Sequence, residues 1–415
     1  MNYKFVLSLS AWLVHAASAE FQCLDADGFP LDWFALLKQP HSGHYAYVSS
    51  NSSTAWIQPD GCDITRDGPV FSTVSQVLQA GSNAAADVLA AYNDEPPEDN
   101  NSSSIGSSAF GHMKGLVALK SGQKGFWLIH SVPKFPNMSL HRYEYPDTGM
   151  KYGQSFLCLT VDSAKMANII GSQLFVSHPD LYSLSVSPAA EAAWPSWADL
   201  KKRKQPPKAL MNSTVKLVTS GGLSVMHLAK SPHLKQDLYS YLLAGQLQSN
   251  IQVETWQHGK ELLNSTCNRR YNVTKVLDVR IGNQTQFKST KDHSKWCVTA
   301  QTDAKPHTCI GDMNRAETQY HRGGGIACIG LVGLHSLFKA AVIHDQPCGS
   351  AGHAKSDKEL LLSLYNWVML AAVCAMACIV LLLVLLLTMA LAKLRSRQQK
   401  VLSGSGSSGQ KYRIL

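Results

Sequence analysis

An uncharged apolar segment near the C-terminus constrains this 415-residue chain more than any other feature. Residues 367–392 contain no Asp, Glu, Lys or Arg and consist mostly of Leu, Val, Ala and Ile. An α-helix rises about 1.5 Å per residue, so about 20 such residues span the hydrocarbon core of a bilayer. Basic residues follow directly, and basic flanks stay on the cytosolic side. The sequence therefore predicts one transmembrane helix followed by a cytosolic tail over residues 393–415.

The N-terminus carries a second targeting pattern. Within residues 1–19, Lys4 precedes an apolar run, and the small residues 17–19 fit signal peptidase cleavage before Glu20. A cleaved signal peptide makes the chain a type I single-pass membrane protein. Its lumenal region is then expected to cover residues 20–358.

The end of the tail resembles a sorting signal. Residues 412–415 read Tyr-x-x-Leu, like the adaptor-read signals of endosomal and lysosomal membrane proteins. An idle C-terminus is the alternative, because such short patterns also arise by chance. The pattern favours an endolysosomal membrane location with sorting adaptors bound at Tyr412. A cell-surface location, or secretion after cleavage, is the other possibility.

Glycosylation sequons and cysteines both favour a secretory compartment. Eight of the ten cysteines precede the apolar segment, and an oxidising compartment makes disulfides their default use. No Cys-x-x-Cys pair occurs among these eight, so a zinc-ribbon site has little support and no metal site is predicted. Asn-x-Ser/Thr sequons, all outside the tail, occur at Asn51, Asn100, Asn101, Asn137, Asn212, Asn264, Asn272 and Asn283.

The net charge of +9 does not belong to the lumenal region. Seven basic residues lie in the signal peptide and the tail, which leaves 31 basic and 29 acidic residues elsewhere, a net charge of only +2. Fifteen of the 16 histidines follow the signal peptide, and histidine titrates near pH 6.5. In an acidic compartment the lumenal charge would rise toward +17, so histidines are the better indication of an anionic partner.

Strand-like and helix-like patterns alternate along the lumenal region. Residues 125–130 and 156–161 are typical of buried strands. Helical periodicity predicts helices over residues 163–174 and 232–247. This alternation favours an α/β fold.

A change in composition near the middle of the lumenal region predicts a connector. Prolines and two tryptophans cluster between residues 187 and 208, and prolines break regular elements. We therefore predict a connector over residues 191–208, between one half over residues 20–190 and another over residues 209–358. The basic run at residues 201–204 either contacts phosphate or forms a solvated surface loop.

A weak duplication is the main indication of a functional site. His112 and Lys114 form one His-x-Lys motif, and His293 and Lys295 form another in the second half. Alternate residues of a strand point to one face, so each motif presents an imidazole beside an ammonium group. One such motif is weak, but two at corresponding depths predict a shared site.

Two such pairs could cleave a phosphodiester without a metal or cofactor. One neutral imidazole would attack phosphorus to form a phosphohistidine, while the other, protonated, would protonate the leaving alkoxide. The lysines would hold the non-bridging oxygens and offset their developing charge. Because one histidine must be charged and the other neutral, the expected pH optimum is acidic.

Long sequence blocks over almost the whole lumenal region resemble the deoxyribonuclease II family. They include CLDADGFPLDWF near the N-terminus and GFWLIHSVPKFP in the first half. The blocks lie at residues 23–34, 38–40, 111–115, 125–136, 152–155, 292–296, 309–315 and 322–325.

The resemblance implies an acid, metal-independent endonuclease of the phospholipase D superfamily that cuts DNA to 3′-phosphate and 5′-hydroxyl ends. It assigns His112 and Lys114 to one half of the site and His293 and Lys295 to the other. His293 corresponds to the family's catalytic histidine. DNA contacts would be made mainly to the backbone, with little sequence specificity.

The resemblance also implies supporting residues and a disulfide pattern. Asn314 matches an element whose side-chain amide can donate to a phosphate oxygen. For His130, a role near the substrate and a structural role both remain open. The family's disulfides would pair Cys23 with Cys158, Cys267 with Cys348 and Cys309 with Cys328, leaving Cys62 and Cys297 free or joined.

The fold implied is α/β, with two pseudo-symmetric phospholipase D-like halves followed by the transmembrane helix. Each half would be a mixed sheet flanked by helices, and both His-x-Lys strands would meet in one cleft. Such an enzyme would serve lysosomal DNA degradation.

Two departures from the family pattern leave alternatives open. Members usually carry an acidic residue shortly after the first His-x-Lys, where this chain has Lys120, and typical members lack a membrane anchor. A misplaced histidine would weaken activity, although a tolerant surface position explains the lysine equally well. The alternatives are a phospholipase D-type phosphodiesterase with another substrate, and a catalytically weak nucleic-acid-binding membrane protein.

Overall fold

The computed structural model divides the chain into two compact units, and the first unit ends along the sequence at Cys348. The predicted signal peptide, the Tyr412 pattern and three sequons (Asn100, Asn101 and Asn283) lie outside the residues described. The structure describes residues 20–78, 85–98, 107–259, 261–267, 269–282, 285–300, 305–348 and 352–404.

The first half of the chain forms a two-stranded sheet and an eight-stranded sheet. The ten strands are β1 (Cys23–Leu24), β2 (Pro30–Leu31), β3 (Trp33–Lys38), β4 (Tyr45–Ser49), β5 (Ser52–Ile57), β6 (Val88–Asn93), β7 (Lys114–Leu119), β8 (Lys124–His130), β9 (Gln154–Asp162) and β10 (Leu181–Val186). Strands β1 and β2 pair with each other, and the rest follow the order β10-β6-β7-β8-β9-β3-β4-β5. Every residue of β3, β4, β6 and β7 is buried, so both faces of this sheet are covered.

A second sheet is built from the later strands. These are β11 (Asn212–Val218), β12 (Ser224–Lys230), β13 (Ile251–Glu254), β14 (Val273–Ile281), β15 (Thr285–Lys288), β16 (Trp296–Thr299), β17 (Thr308–Gly311), β18 (Gly324–Ile329) and β19 (Val342–Gln346). Their order is β11-β12-β18-β17-β16-β13-β14-β15, with β19 also on β14. The parallel pair β13–β14 makes this sheet mixed, as predicted. The first sheet differs from the prediction because all its neighbouring strands are antiparallel.

The α-helices described in the first unit are α1 (Gly68–Leu78), α2 (Asp147–Lys151), α3 (Ser163–Ser177), α4 (Pro188–Ala193), α5 (Pro195–Lys201), α6 (Ala244–Leu247) and α7 (Val332–Ala341). Helix α8 (Gly352–Gly404) belongs to the second unit. One hydrophobic core contains Trp127 of the first sheet, Trp296 of the second, and residues of α3, α5 and α7. The two sheets therefore share this core, and a further core lies within each half.

The predicted strands and the first predicted helix are confirmed as β8, β9 and α3. The helix predicted over residues 232–247 is wrong as one continuous element. A 3₁₀ turn at Pro232–Leu234 ends at Lys235, which adopts a left-handed φ of 53°. Asp237 then starts a π-helical segment at Leu238–Leu243 by accepting from two backbone N–H groups, and α6 follows.

The predicted connector contains helix α5 and the second half of α4. Pro188 and Pro195 lie in the first turns of these helices, where a missing N–H does no harm, so these prolines start elements. Trp197 is buried and donates its indole N–H to the carbonyl of Ala167 on α3 at 2.8 Å. In the basic run, Lys204 pairs locally with Asp199 at 2.6 Å, which favours the surface-loop interpretation.

Three disulfides join the pairs implied by the family resemblance. Cys309–Cys328 links the adjacent strands β17 and β18, and Cys297 is the neighbour of Cys309 on β16. Within the described residues, Cys62 and Cys297 are both buried and unpaired.

Helix α8 contains an apolar stretch at Val368–Gln399 that is long enough to cross a membrane. This confirms the prediction of a C-terminal apolar helix. The orientation of that helix stays a prediction.

Candidate active site

The two His-x-Lys motifs lie at the start of strands β7 and β16. Lys114 is the first residue of β7, and Lys295 directly precedes β16. The backbone N–H of His112 donates to the carbonyl of Gly323 at 2.8 Å, and that of His293 donates to the carbonyl of Gly153 at 2.9 Å. Each motif is therefore tied to a loop that belongs to the other sheet.

The imidazole rings are held across the same boundary. Nδ1 of His112 lies 2.7 Å from the carbonyl oxygen of Asp312, and Nδ1 of His293 lies 2.8 Å from that of Ser131. A carbonyl oxygen can only accept a hydrogen bond, so these contacts favour the proton on Nδ1 of each ring. Nζ of Lys295 also lies 3.1 Å from Nδ1 of His293, so at that ring the carbonyl of Ser131 and the ammonium of Lys295 compete for the same nitrogen. Nε2 is then the basic nitrogen of both neutral histidines.

Close backbone packing around His112 requires glycine at two positions. A Cβ atom on Gly111 would lie 2.3 Å from the carbonyl oxygen of Ser177, and one on Gly323 would lie 2.0 Å from the same oxygen. These separations are far below van der Waals contact, so no larger residue fits without moving the backbone. This packing explains part of the glycine-rich run at residues 322–325.

A buried carboxylate, Asp94, organises the His112 side of the site. It directly follows β6, accepts from the Lys114 ammonium, and accepts from Arg322 at 2.9 Å. Its Oδ2 is 4.0 Å from Nε2 of His112. Burial alone would raise the pKa of Asp94, but Lys114, His112 and Arg322 hold that pKa well below its usual range. Asp94 is therefore a fixed negative charge beside the basic nitrogen of His112.

The His293 side has an aromatic neighbour in place of a carboxylate. The ring of Trp256 is 4.7 Å from that of His293 and nearly perpendicular to it, at 77°. Nζ of Lys295 donates to the His293 carbonyl at 2.6 Å. The amide oxygen of Gln154 lies 3.4 Å from Nδ1 of His293. Of the two histidines, only His112 has a carboxylate oxygen within 4.0 Å of its ring nitrogens in the part of the chain that the structure describes.

Burial makes the site resist protonation. The pKa of His112 is lowered well below 6.5 by burial, although Asp94 opposes this effect. The pKa of His293 is lowered well below 6.5 by burial and by Lys295, Lys114 and His112. The pKa of Lys295 is also lowered, chiefly by burial. These mutual effects show that the four motif residues form one electrostatic cluster.

His130 and Asn314 are the two remaining predicted site residues. His130 is fully buried between Phe135 and Phe156 and accepts at Nδ1 from the N–H of Val132 at 3.2 Å. Its Nε2 has no hydrogen-bond partner among the described residues. Asn314 follows Asp312 by two residues, and its buried amide oxygen is likewise unpartnered there. Direct contact of either side chain with the motif histidines is not observed.

Lys120 is remote from the histidines. It follows the last residue of β7, whereas Lys114 is the first, which separates them by about 20 Å along the strand. Its ammonium lies 3.9 Å from Asp87. The carboxylate beside the His-x-Lys cluster comes instead from Asp94, directly after the neighbouring strand β6.

Sequence reasoning did not find Asp94 or Trp256. Both follow short buried strands, β6 and β13, that pair with the strands carrying the lysines. The sequence marks each position only as a polar or aromatic residue after an apolar run. This pattern occurs throughout such chains. Only strand pairing distinguishes these two positions.

Comparison with known proteins identifies the family. The family model for deoxyribonuclease II matches residues 22–348. The chain belongs to the deoxyribonuclease II family. It is 33% identical to deoxyribonuclease-2-alpha of Rattus norvegicus over 82% of this chain and 98% of the relative. It is 35% identical to deoxyribonuclease-2 of Caenorhabditis elegans, covering 75% and 90%. It is also 32% identical to plancitoxin-1 of Acanthaster planci, covering 82% and 96%.

Membership in this family makes the chain a hydrolytic nuclease of the deoxyribonuclease II type. The family match covers both His-x-Lys motifs and all three disulfides. The apolar helix α8 lies beyond the matched region.

Proposed function

We propose that this protein is an acid, metal-independent endonuclease that hydrolyses DNA to 3′-phosphate and 5′-hydroxyl products through a phosphohistidine. The observation that carries the proposal is the reciprocal anchoring of the two imidazoles. His112 and His293 each donate from Nδ1 to a carbonyl, so both present Nε2 as the reactive atom. Two such nitrogens beside two lysines supply a nucleophile, an acid and charge stabilisation.

The different surroundings assign the roles of the histidines. His293, beside Lys295 and Trp256, is kept neutral and attacks phosphorus through Nε2. His112, 4.0 Å from Asp94, takes the charged form more readily because a carboxylate stabilises an imidazolium. It gives its Nε2 proton to the departing 5′-oxygen, which leaves as a hydroxyl.

The second step reverses the proton transfer. Water attacks phosphorus, and neutral His112 takes its proton while the bond to Nε2 of His293 breaks. The phosphate leaves on the 3′-oxygen of the DNA. Lys114 and Lys295 stabilise the charge on the non-bridging oxygens in both steps. Asn314 and His130 are proposed as supporting residues at the edge of the substrate.

The acidic optimum follows from the direction of the pKa shifts. His112 must be protonated to act as the acid, and burial lowers its pKa well below 6.5. The protonated fraction therefore rises as the pH falls, so cleavage is fastest at acidic pH.

A pseudo-two-fold relation between the halves is part of the proposal. The order β6-β7-β8-β9-β3-β4 in the first sheet corresponds to β13-β16-β17-β18-β12-β11 in the second, and all neighbours in both series are antiparallel. The lysines lie at β7 and β16, and the anchoring carbonyls follow β8 and β17. We propose halves over residues 20–190 and 209–358, joined by the connector at residues 191–208.

We further propose that the enzyme works in the lysosomal lumen as a type I membrane protein. The apolar stretch at Val368–Gln399, the basic residues that follow residue 392 and the Tyr412 pattern support this location. Buried histidines that need acid for catalysis suit the same compartment.

The decisive experiment is a nuclease assay of the full-length protein near pH 5 in EDTA. The wild type should release 3′-phosphate ends from DNA, and His293→Ala and His112→Ala should each lose at least about 100-fold in kcat. His41→Ala, which changes an exposed histidine, is the matched control and should keep full activity. Full cleavage by His293→Ala would refute the mechanism. Activity that disappears in EDTA and returns with a divalent metal would refute metal independence.

A further inference from the structure

A pocket beside His293 has the composition of a nucleobase-binding site. Its volume is about 330 Å³, and Tyr152, Gln154 and Trp256 line it together with His293. We propose that this pocket binds the base of a nucleotide that flanks the scissile phosphate, by stacking that base on Trp256. The proposal rests on the proposed nuclease function and adds which part of the substrate is recognised beyond the phosphate.

The indole of Trp256 is held by three rings. Its centroid lies 4.3 Å from that of Tyr152 at 87°, 4.6 Å from that of His258 at 34°, and 4.7 Å from that of His293 at 77°. The side chain is only half-buried, so part of the indole remains open to the pocket. A pre-positioned aromatic ring binds any base through its π face, with little dependence on sequence.

An unsatisfied donor lies on the same wall. Gln154 is 1% exposed, and its amide oxygen accepts from the Ser131 hydroxyl at 2.6 Å. Its amide nitrogen has no hydrogen-bond partner among the described residues. A buried donor without a partner is costly, and a ring nitrogen or carbonyl of a base would satisfy it.

The charges at the mouth favour a base over a second phosphate inside the pocket. Glu95 is an exposed residue on the lining, where its carboxylate repels phosphate. Lys151 is also exposed on the lining, with its ammonium 5.2 Å from the ring of Tyr152. It can contact the backbone of the same strand while the base is inside.

The size of the pocket limits the state of the DNA. A volume of 330 Å³ is at the small end for ligand pockets and suits one planar ring system. A base must leave its duplex stack to enter, which costs least in single-stranded or locally melted DNA. The enzyme should therefore cut unpaired steps faster than stable duplex.

The test pairs an enzyme variant with a substrate variant. Full-length wild type, Trp256→Ala and Trp256→Phe are compared near pH 5 on short single strands with one cleavable linkage, which is flanked by normal or abasic nucleotides. Losing the stack should lower kcat/KM for the normal strand about 5- to 100-fold in Trp256→Ala and much less in Trp256→Phe. An abasic residue on one side should slow the wild type similarly, and Trp256→Ala should then add no further loss. Phe29→Ala, at a residue 65% exposed in the β1–β2 turn, is the aromatic control and should match the wild type.

Equal losses for Trp256→Ala on normal and abasic strands would overturn the proposal, because they would show that Trp256 only supports His293. No loss on either strand would also overturn it. The same comparison is made on the Kd of a non-hydrolysable strand, which does not depend on turnover. A wild type that binds with this pattern but does not cut would contradict the proposed nuclease function alone.

Discussion

A histidine outside the active site should make the protein less stable in acid. His227 on β12 is 1% exposed. Its Nδ1 lies 3.0 Å from the amide oxygen of Gln173, and its ring centroid lies 4.8 Å from that of Trp127. Burial lowers its pKa to about 3, whereas the unfolded chain should titrate near 6.5. Below pH 6.5 the imidazole of His227 therefore binds a proton in the unfolded state but stays neutral in the folded state. Stability from this residue is complete above pH 6.5 and is lost progressively as the pH falls toward 3.

The size of the loss follows from the two pKa values. At pH 5 the pH is about 1.5 units below the pKa of the unfolded histidine, while the folded histidine is still neutral. Protonation therefore stabilises the unfolded state by about 2 kcal/mol. His227→Gln keeps a polar side chain at this position without a titrating group. It should therefore reduce the difference in unfolding free energy between pH 8 and pH 5 by about 2 kcal/mol.

The assay is urea unfolding of the full-length protein at both pH values. His227→Gln also changes packing against Trp127, but that change is the same at pH 8 and pH 5 and cancels in the difference. His41→Gln, at an exposed position, should leave the difference as it is in the wild type. If His227→Gln and wild type lost the same stability between pH 8 and pH 5, the proposed cost of burying His227 would be refuted.

Two further substitutions separate the carboxylate at the site from the remote lysine. Asp94→Asn leaves buried Lys114 and Arg322 without their counter-charge, so urea unfolding should show a loss of about 3–5 kcal/mol. The pH–rate profile of this variant should also move to lower pH, because Asp94 raises the pKa of His112; an unmoved profile would exclude that effect. Lys120→Gln should change kcat/KM less than two-fold, since its 3.9 Å pair with Asp87 is at the far end of β7 and such partly exposed pairs contribute at most about 1 kcal/mol. A large gain in activity from Lys120→Gln would show that this position acts on the site after all.

The parts of the fold and site that the sequence predicts are those encoded locally. Strands β8 and β9 follow from short apolar runs, and α3 follows from its helical periodicity. The helix predicted over residues 232–247 fails because Asp237 binds the backbone N–H groups of the next turn, a contact that hydrophobic periodicity does not detect. Pro195 lies in the predicted connector but starts helix α5, because proline suits the first turn of a helix as well as a loop.

The parts that the sequence did not predict depend on distant contacts. The His-x-Lys motifs are visible because each is compact, but Asp94 lies 228 residues from its partner Arg322. Trp256 reaches His293 only because β13 pairs with β16. Such neighbours are defined by strand order, and no local pattern records that order.

The reciprocal anchoring of the imidazoles ties cutting ability to complete folding. The tautomer of His112 depends on a carbonyl 200 residues later in the chain, and that of His293 depends on one 162 residues earlier. A nascent chain that has folded only its first sheet has neither the second histidine nor the acceptor that orients the first. A partly folded or truncated nuclease in the biosynthetic pathway would therefore carry its reactive groups in an unassembled and harmless form. The enzyme would therefore become active only after its last long-range contacts have formed.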